Sequence, residues 1–165
     1  MKIILCPNPF RDKGLKAAYQ AQRILSAAGA KTEYCFPFPV EKSNIGDIDP
    51  SIKIKEMKTE LPDADFLVCF GGDGTILHAA KDASSFGVPI VGVNMGSVGF
   101  MAELEQGELS DLTRLVSGEY TLENRMLLDV RVIREGRVIF RSTALNDAVI
   151  TKGAVARVID LQVYG

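Results

Sequence analysis

The chain has 165 residues, 47% of them apolar, which is enough for one ordinary domain plus part of another and too little for two full cores. Nineteen basic against twenty-one acidic side chains leave a net charge of −2 with no basic stripe, which argues against nucleic acid or an anionic membrane as partner. No apolar stretch reaches membrane-spanning length, and the run Ile3 to Cys6 before Pro7 is too short for a secretory signal, so a soluble cytoplasmic protein is expected.

In chain order, Ile3 to Cys6 reads as a strand. Leu15 to Ala28 reads as a helix closed by Gly29, with Ala17, Ala18, Ala21, Ile24, Leu25 and Ala28 at helical spacing. Lys31 to Phe36 follows as a second strand, and a strand, helix, strand start pairs its strands in parallel. Residues 36 to 62 are rich in Pro, Lys and Glu and read as a surface connection carrying at most a short helix. Next come strand Phe66 to Phe70, a glycine loop, helix Thr75 to Ser84 and strand Ile90 to Val93. Near-continuous apolar strands bounded by helices mark a parallel sheet covered on both faces. Cys6, Cys35 and Cys69 are odd in number and widely spaced, which fits reduced, buried thiols better than a disulfide or zinc framework.

After about residue 118 the pattern changes. Leu127 to Arg134 and Val138 to Ala144 alternate around the turn Arg134-Glu135-Gly136-Arg137, and Arg157 to Tyr164 is another alternating run. The expected fold class is therefore α/β: a Rossmann-like parallel-sheet domain over residues 1–122, followed at 123–165 by the first strands of an antiparallel, all-β domain. The chain stops at Gly165 inside that strand pattern with nothing to close the sheet, so a fragment is expected.

The chemistry concentrates in Gly71-Gly72-Asp73-Gly74-Thr75, placed between an apolar strand and a helix. Glycines let backbone N–H groups approach an anion, and the helix start adds unpaired N–H groups and a positive dipole end, so the loop can cradle phosphates. It is neither a Walker A loop nor the dinucleotide fingerprint, since no Gly-Lys-Ser/Thr follows and the spacing differs. Asp73 needs its own explanation. A carboxylate about 4 Å from a phosphate oxygen is repelled by roughly 4 kcal/mol at an effective dielectric near 20, unless a divalent cation bridges or Asp73 takes a proton. The plain alternative is a tight turn with Asp73 as helix cap.

A second glycine loop, Gly92-Val93-Asn94-Met95-Gly96-Ser97-Val98-Gly99-Phe100, leaves the carboxyl end of the next strand; alone it reads equally as a flexible connection, and paired with the first loop as the other wall of a cleft. Asn146-Asp147 interrupts an apolar run with an amide beside a carboxylate, a pair suited to a sugar diol or to a polar turn between strands. His78, near one helical turn past Gly74, reads as a phosphate contact or as packing, and Arg157 as an anion contact or an ordinary exposed cation.

Gly71 to Thr75, then Asn94-x-Gly96-x-x-Gly99-Phe100, then Arg125-Met126-Leu127, then Leu145-Asn146-Asp147, in this order and spacing, resemble the NAD kinase family along the whole chain. The resemblance implies transfer of the terminal phosphoryl of ATP, or of polyphosphate, to the 2′-hydroxyl of the adenosine ribose of NAD. It makes Asp73 the catalytic proton acceptor and assigns nucleotide binding to Gly71, Gly72, Asp73, Gly74, Thr75, His78, Asn146, Asp147 and Arg157. It implies no protein-held metal, a divalent cation (Mg²⁺) carried mainly by the substrate phosphates, and a homo-oligomer, dimer or tetramer. Asp147 stands where the family usually has Glu, one methylene longer. The family's later motifs would fall beyond Gly165, so the 165-residue piece alone is expected to be inactive. The competing readings are a lipid kinase of the same superfamily, acting on diacylglycerol or sphingosine, and a non-catalytic nucleotide-binding module.

Overall fold

Six parallel strands in the order β3-β2-β1-β4-β5-β6 form the sheet of a computed structural model that describes residues 1–41, 48–96, 99–151 and 160–164. The chain divides by its internal contacts into Met1–Arg125 and Met126–Gly165.

In the first unit, β1 (Lys2–Pro7), β2 (Lys31–Cys35), β4 (Phe66–Gly71) and β5 (Ile90–Asn94) are the four strands expected from the sequence. β1 pairs with both β2 and β4, with Leu5 beside Tyr34 and Val68, so it lies at the centre of the sheet. Two further strands, β3 (Ile54–Lys55) and β6 (Leu104–Glu105), are two residues each and cap the edges. The connection expected over residues 36–62 thus carries a strand as well as a short helix, α2 (Met57–Glu60).

Successive strand residues point to opposite faces, and each face has its own core. Ile3, Leu5, Phe66, Val68 and Phe70 pack with Ala17, Ala18, Ala21 and Leu25 of helix α1 (Lys16–Ala27) and with Leu109, Leu112 and Leu115, the last on α4 (Thr113–Ser117). Ile4, Cys6, Leu67 and Cys69 pack with Ile76, Ala79 and Ala83 of helix α3 (Asp73–Phe86) and with Leu61. Each fully buried aliphatic side chain contributes about 1.5–3 kcal/mol, so the two-sided core supplies the main force that orders the strand ends. Gly29 (φ 92°) and Gly87 (φ 67°) end α1 and α3 in the left-handed region. All three cysteines are free and buried.

In the second unit, β7 (Leu128–Arg134) and β8 (Arg137–Ala144) pair antiparallel, Arg134 opposite Arg137. The intervening Glu135 (φ 49°) and Gly136 (φ 73°) both take left-handed backbone, the requirement of a two-residue hairpin turn whose twist matches its strands. Asp129 on β7 accepts from Arg141 Nε on β8 at 2.9 Å. The alternating run ending at Tyr164 does not extend as a strand over Asp160–Tyr164, because alternation becomes a strand only where a partner takes its backbone hydrogen bonds; residues 152–159 of that run lie outside the described residues.

Candidate functional site

The strand order fixes where a ligand can sit. From β1 the chain crosses through α1 to β2, and from the adjacent β4 it crosses through α3 to β5, in the opposite direction. Between the carboxyl ends of β1 and β4 the sheet therefore has its switch point, the place where open α/β sheets leave a crevice for ligands. The sequence expectation built the cleft from the loops after β4 and β5; the topology adds the loop after β1, residues 8–12, as a third wall.

The first glycine loop is short. β4 ends on Gly71, Gly72 is the extended N-cap residue (φ −111°, ψ −171°), and α3 begins at Asp73. The glycines have different reasons to be there. A Cβ on Gly71 would overlap Thr75 Oγ1 and stand 2.7 Å from Thr75 Cβ, so this glycine allows the helix to start tight against the strand. A Cβ on Gly72 or Gly74 would meet nothing within 4 Å, so those two keep an open face bare, beside the unpaired N–H groups that any helix start presents. Thr75 is turned the other way: it is 3% exposed, and its Oγ1 accepts from Asn8 Nδ2 at 3.0 Å. Its hydroxyl supports the loop from beneath instead of lining the open face.

Asp73 is not a helix cap. No side chain caps α3, and the Asp73 carboxylate instead reaches the loop after β5, where Oδ2 accepts from Phe100 N and Oδ1 from Met101 N, each at 3.1 Å. Gly99 makes this approach possible, because a Cβ there would overlap Asp73 Oδ1 and lie 3.1 Å from Cγ. The half-buried carboxylate, with two oxygens and about four lone-pair sites, keeps acceptor capacity beyond these two bonds.

The second loop is itself braced. Met95 N donates to Gly71 O at 3.0 Å, joining it to the first loop. Asn94, 3% exposed, donates from Nδ2 to both Glu105 carboxylate oxygens at 3.1 Å and accepts at Oδ1 from Gly96 N at 3.2 Å. Gly92 N donates to Glu103 Oε2 at 2.6 Å, and a Cβ on Gly92 would come within 2.9 Å of Ala102 Cα. Asn94 and Gly92 therefore shape the loop, and Gly99 admits Asp73.

The third wall was not flagged by the sequence, since it has no glycine signature. Phe10 N donates to Asn8 Oδ1 at 3.0 Å, and the Arg11 guanidinium lies 3.8 Å from where a Gly96 Cβ would be, adding a full positive charge at this edge. Asp12, 2% exposed, accepts from Ala17 N at 3.0 Å and Ala18 N at 2.9 Å and so fixes the start of α1. Burial pushes the Asp12 carboxyl above its ordinary range, while N–H bonds from Ala17, Ala18 and Lys16 pull it back.

His78 is exposed on α3 and meets Phe38 edge-on at 5.5 Å, with Phe38 stacked on Phe10 at 6.2 Å. In the second unit, Asn146 lies in the bend that follows β8 and Asp147 just after it, both exposed. Arg157 lies outside the described residues. The first unit thus brings together Gly71, Gly72, Asp73, Gly74 and Thr75 of the expected set, with Asn8, Arg11 and Gly99 as residues the sequence reading did not assign. Among the described residues, no group of three His, Cys, Asp or Glu side chains could hold a metal ion.

Residues 3–120 match the ATP-NAD kinase N-terminal domain. The chain is 32% identical over 165 residues to the NAD kinase of Acetivibrio thermocellus, covering 99% of this chain and 55% of that protein. It is 34% identical over 164 residues to the NAD kinase of Caldanaerobacter subterraneus subsp. tengcongensis, covering 99% and 56%. Among solved structures it is similar in fold to yeast NADH kinase complexed with NADH, with a TM-score of 0.67, 18% identity, and coverage of 88% of this chain and 47% of that one. The chain spans about half the length of the curated relatives it matches. With the family's N-terminal domain matched over residues 3–120, the chain belongs to the NAD kinase family.

Proposed function

We propose that the whole gene product carrying this chain transfers the terminal phosphoryl of ATP, or of polyphosphate, to the 2′-hydroxyl of the adenosine ribose of NAD, giving NADP. The observation that carries the reading is Asp73: a carboxylate held by two backbone N–H groups at the switch edge of the sheet, beside a glycine turn with a bare outer face. Phosphoryl transfer asks a protein mainly for positioning and charge stabilisation. Gly72, Gly74 and the first turn of α3 supply N–H donors to the donor's phosphates, and Arg11 a neighbouring cation. The ribose hydroxyl donates to Asp73. As the 2′-oxygen bonds to the terminal phosphorus, the bond from that phosphorus to its leaving oxygen breaks and the hydroxyl proton passes to Asp73.

A divalent cation, Mg²⁺ by preference, is proposed to arrive with the donor's phosphates, where it would offset their charge. His78 and Arg157 are proposed as nucleotide contacts, and Asn146 with Asp147 as contacts to NAD. Assembly as a homo-oligomer, dimer or tetramer, is carried in the same proposal. Among the described residues, no helix is long and apolar enough to cross a membrane.

The test is NADP formation from NAD and ATP or polyphosphate by the whole gene product, wild type and Asp73→Asn, with the 165-residue chain assayed alongside. Wild-type turnover with a loss of roughly 10²-fold or more in Asp73→Asn is expected, the scale of losing a general base. Equal turnover by Asp73→Asn would remove Asp73 from the mechanism. Phosphorylation of a lipid alcohol in place of NAD would overturn the acceptor.

A further inference from the structure

We infer that the loop after β5 is a positioning element for Asp73, and that Gly99 is the residue through which it acts. This rests on the reading of Asp73 as proton acceptor. Asp73 lies on the first turn of α3, and its carboxylate is tied to a segment 27 and 28 residues further along the chain, at Phe100 and Met101. Two parallel N–H bonds, one to each oxygen, fix both the depth and the plane of the carboxylate, which a single bond would leave free to rotate. The remaining lone pairs then face a defined direction.

Gly99 sets the distance. The atom that its missing Cβ would displace is Asp73 Oδ1, the end of a short side chain, and the next two atoms nearest that point, Cγ at 3.1 Å and Oδ2 at 3.5 Å, belong to the same side chain. A methyl group at residue 99 can therefore be accommodated by swinging the carboxylate away, at the expense of its bonds to Phe100 and Met101. The fold survives and the geometry of Asp73 does not. The other contacts of this loop are made elsewhere, by Met95 to Gly71 and by Asn94 to Glu105, and they remain. Displacement of a reacting group by about 1 Å can cost on the order of 10²-fold in rate.

The experiment is a double-mutant cycle between Gly99→Ala and Asp73→Asn in the whole gene product, with amide hydrogen exchange read on the same proteins. Gly107→Ala is the control, since a Cβ on Gly107 meets nothing within 4 Å. In Gly99→Ala, turnover is expected to fall about 10- to 100-fold, with KM for both substrates changed less than about 3-fold. The Phe100 and Met101 amides should lose their exchange protection, and melting should stay close to that of Gly107→Ala. In the Asp73→Asn background, Gly99→Ala should add less than about 2-fold, because the group it acts through is already gone. Retained protection and turnover in Gly99→Ala would overturn the inference, and so would a full, multiplicative loss on top of Asp73→Asn. Should Asp73→Asn itself keep wild-type turnover, the proton-acceptor reading fails, while hydrogen exchange still decides whether Gly99 sets the carboxylate.

Discussion

Asn8 and Thr75 meet across the switch point, the side-chain amide of Asn8 donating to the Thr75 hydroxyl at 3.0 Å. The loop after β1 and the first turn of α3, 67 residues apart in sequence, are joined by this bond. Since the Thr75 oxygen is committed beneath Gly71, Thr75→Val should act on stability more than on the donor. A loss of about 1 kcal/mol is expected, the net worth of one part-buried hydrogen bond, with Thr75→Ser near wild type. Thermal melts and the donor KM of the two variants check this, and a large KM change at unchanged stability would put the Thr75 hydroxyl on the phosphates after all.

The glycines of the first loop should separate by assay. Gly71→Ala forces a methyl into Thr75 and should cost about 1–3 kcal/mol, as overpacked sites do. Gly72→Ala meets no protein atom, so its melting temperature should stay near wild type while donor KM rises. If Gly71→Ala melts like wild type, the tight start of α3 has been misread.

The Lys2–Glu60 pair should make stability sensitive to acid. Lys2 Nζ lies 2.9 Å from Glu60 Oε2, and Lys55 Nζ 3.3 Å from Oε1. The Lys2 bond in particular holds the Glu60 carboxyl below its ordinary range. With the folded value depressed, the unfolded chain takes up the proton first, so the stabilisation is present above the unfolded Glu value of about 4.3 and is lost as pH falls through the folded one. Glu60→Gln should therefore lower the melting temperature at pH 7, and the gap to wild type should close near pH 3. A gap that is constant with pH would sever the link to Glu60 ionisation.

Thiol chemistry should be silent in the folded protein. Burial pushes the Cys35 thiol up to about 12 and raises Cys6 well above its usual value, so neither presents thiolate near neutrality. An aromatic disulfide reagent at pH 8 should label none of Cys6, Cys35 and Cys69 quickly in buffer and all of them in denaturant. Fast labelling of the native chain would mean that the sheet opens locally.

The long strands were legible because their apolar runs are dictated by burial on both faces: Phe66 to Phe70 cannot be anything but interior. β3 and β6 were not, since two residues carry no period and owe their conformation to a neighbouring edge. At the site, the glycines announced a phosphate-sized gap, yet the sequence assigned all of them one purpose. In the fold, Gly71 is sterically compelled, while Gly72 and Gly74 are not. The partnership of Asp73 with Phe100 and Met101, like that of Asn8 with Thr75, is purely tertiary and leaves no local trace; only the glycine at 99 hinted that something approaches there.

Both groups that grip Asp73 belong to the main chain. Every amino acid except proline carries such a donor, so the grip is indifferent to which side chains occupy positions 100 and 101. Those two letters of the sequence can drift, or be rewritten by selection for a different acceptor, without loosening the carboxylate. Proline alone is forbidden at either place.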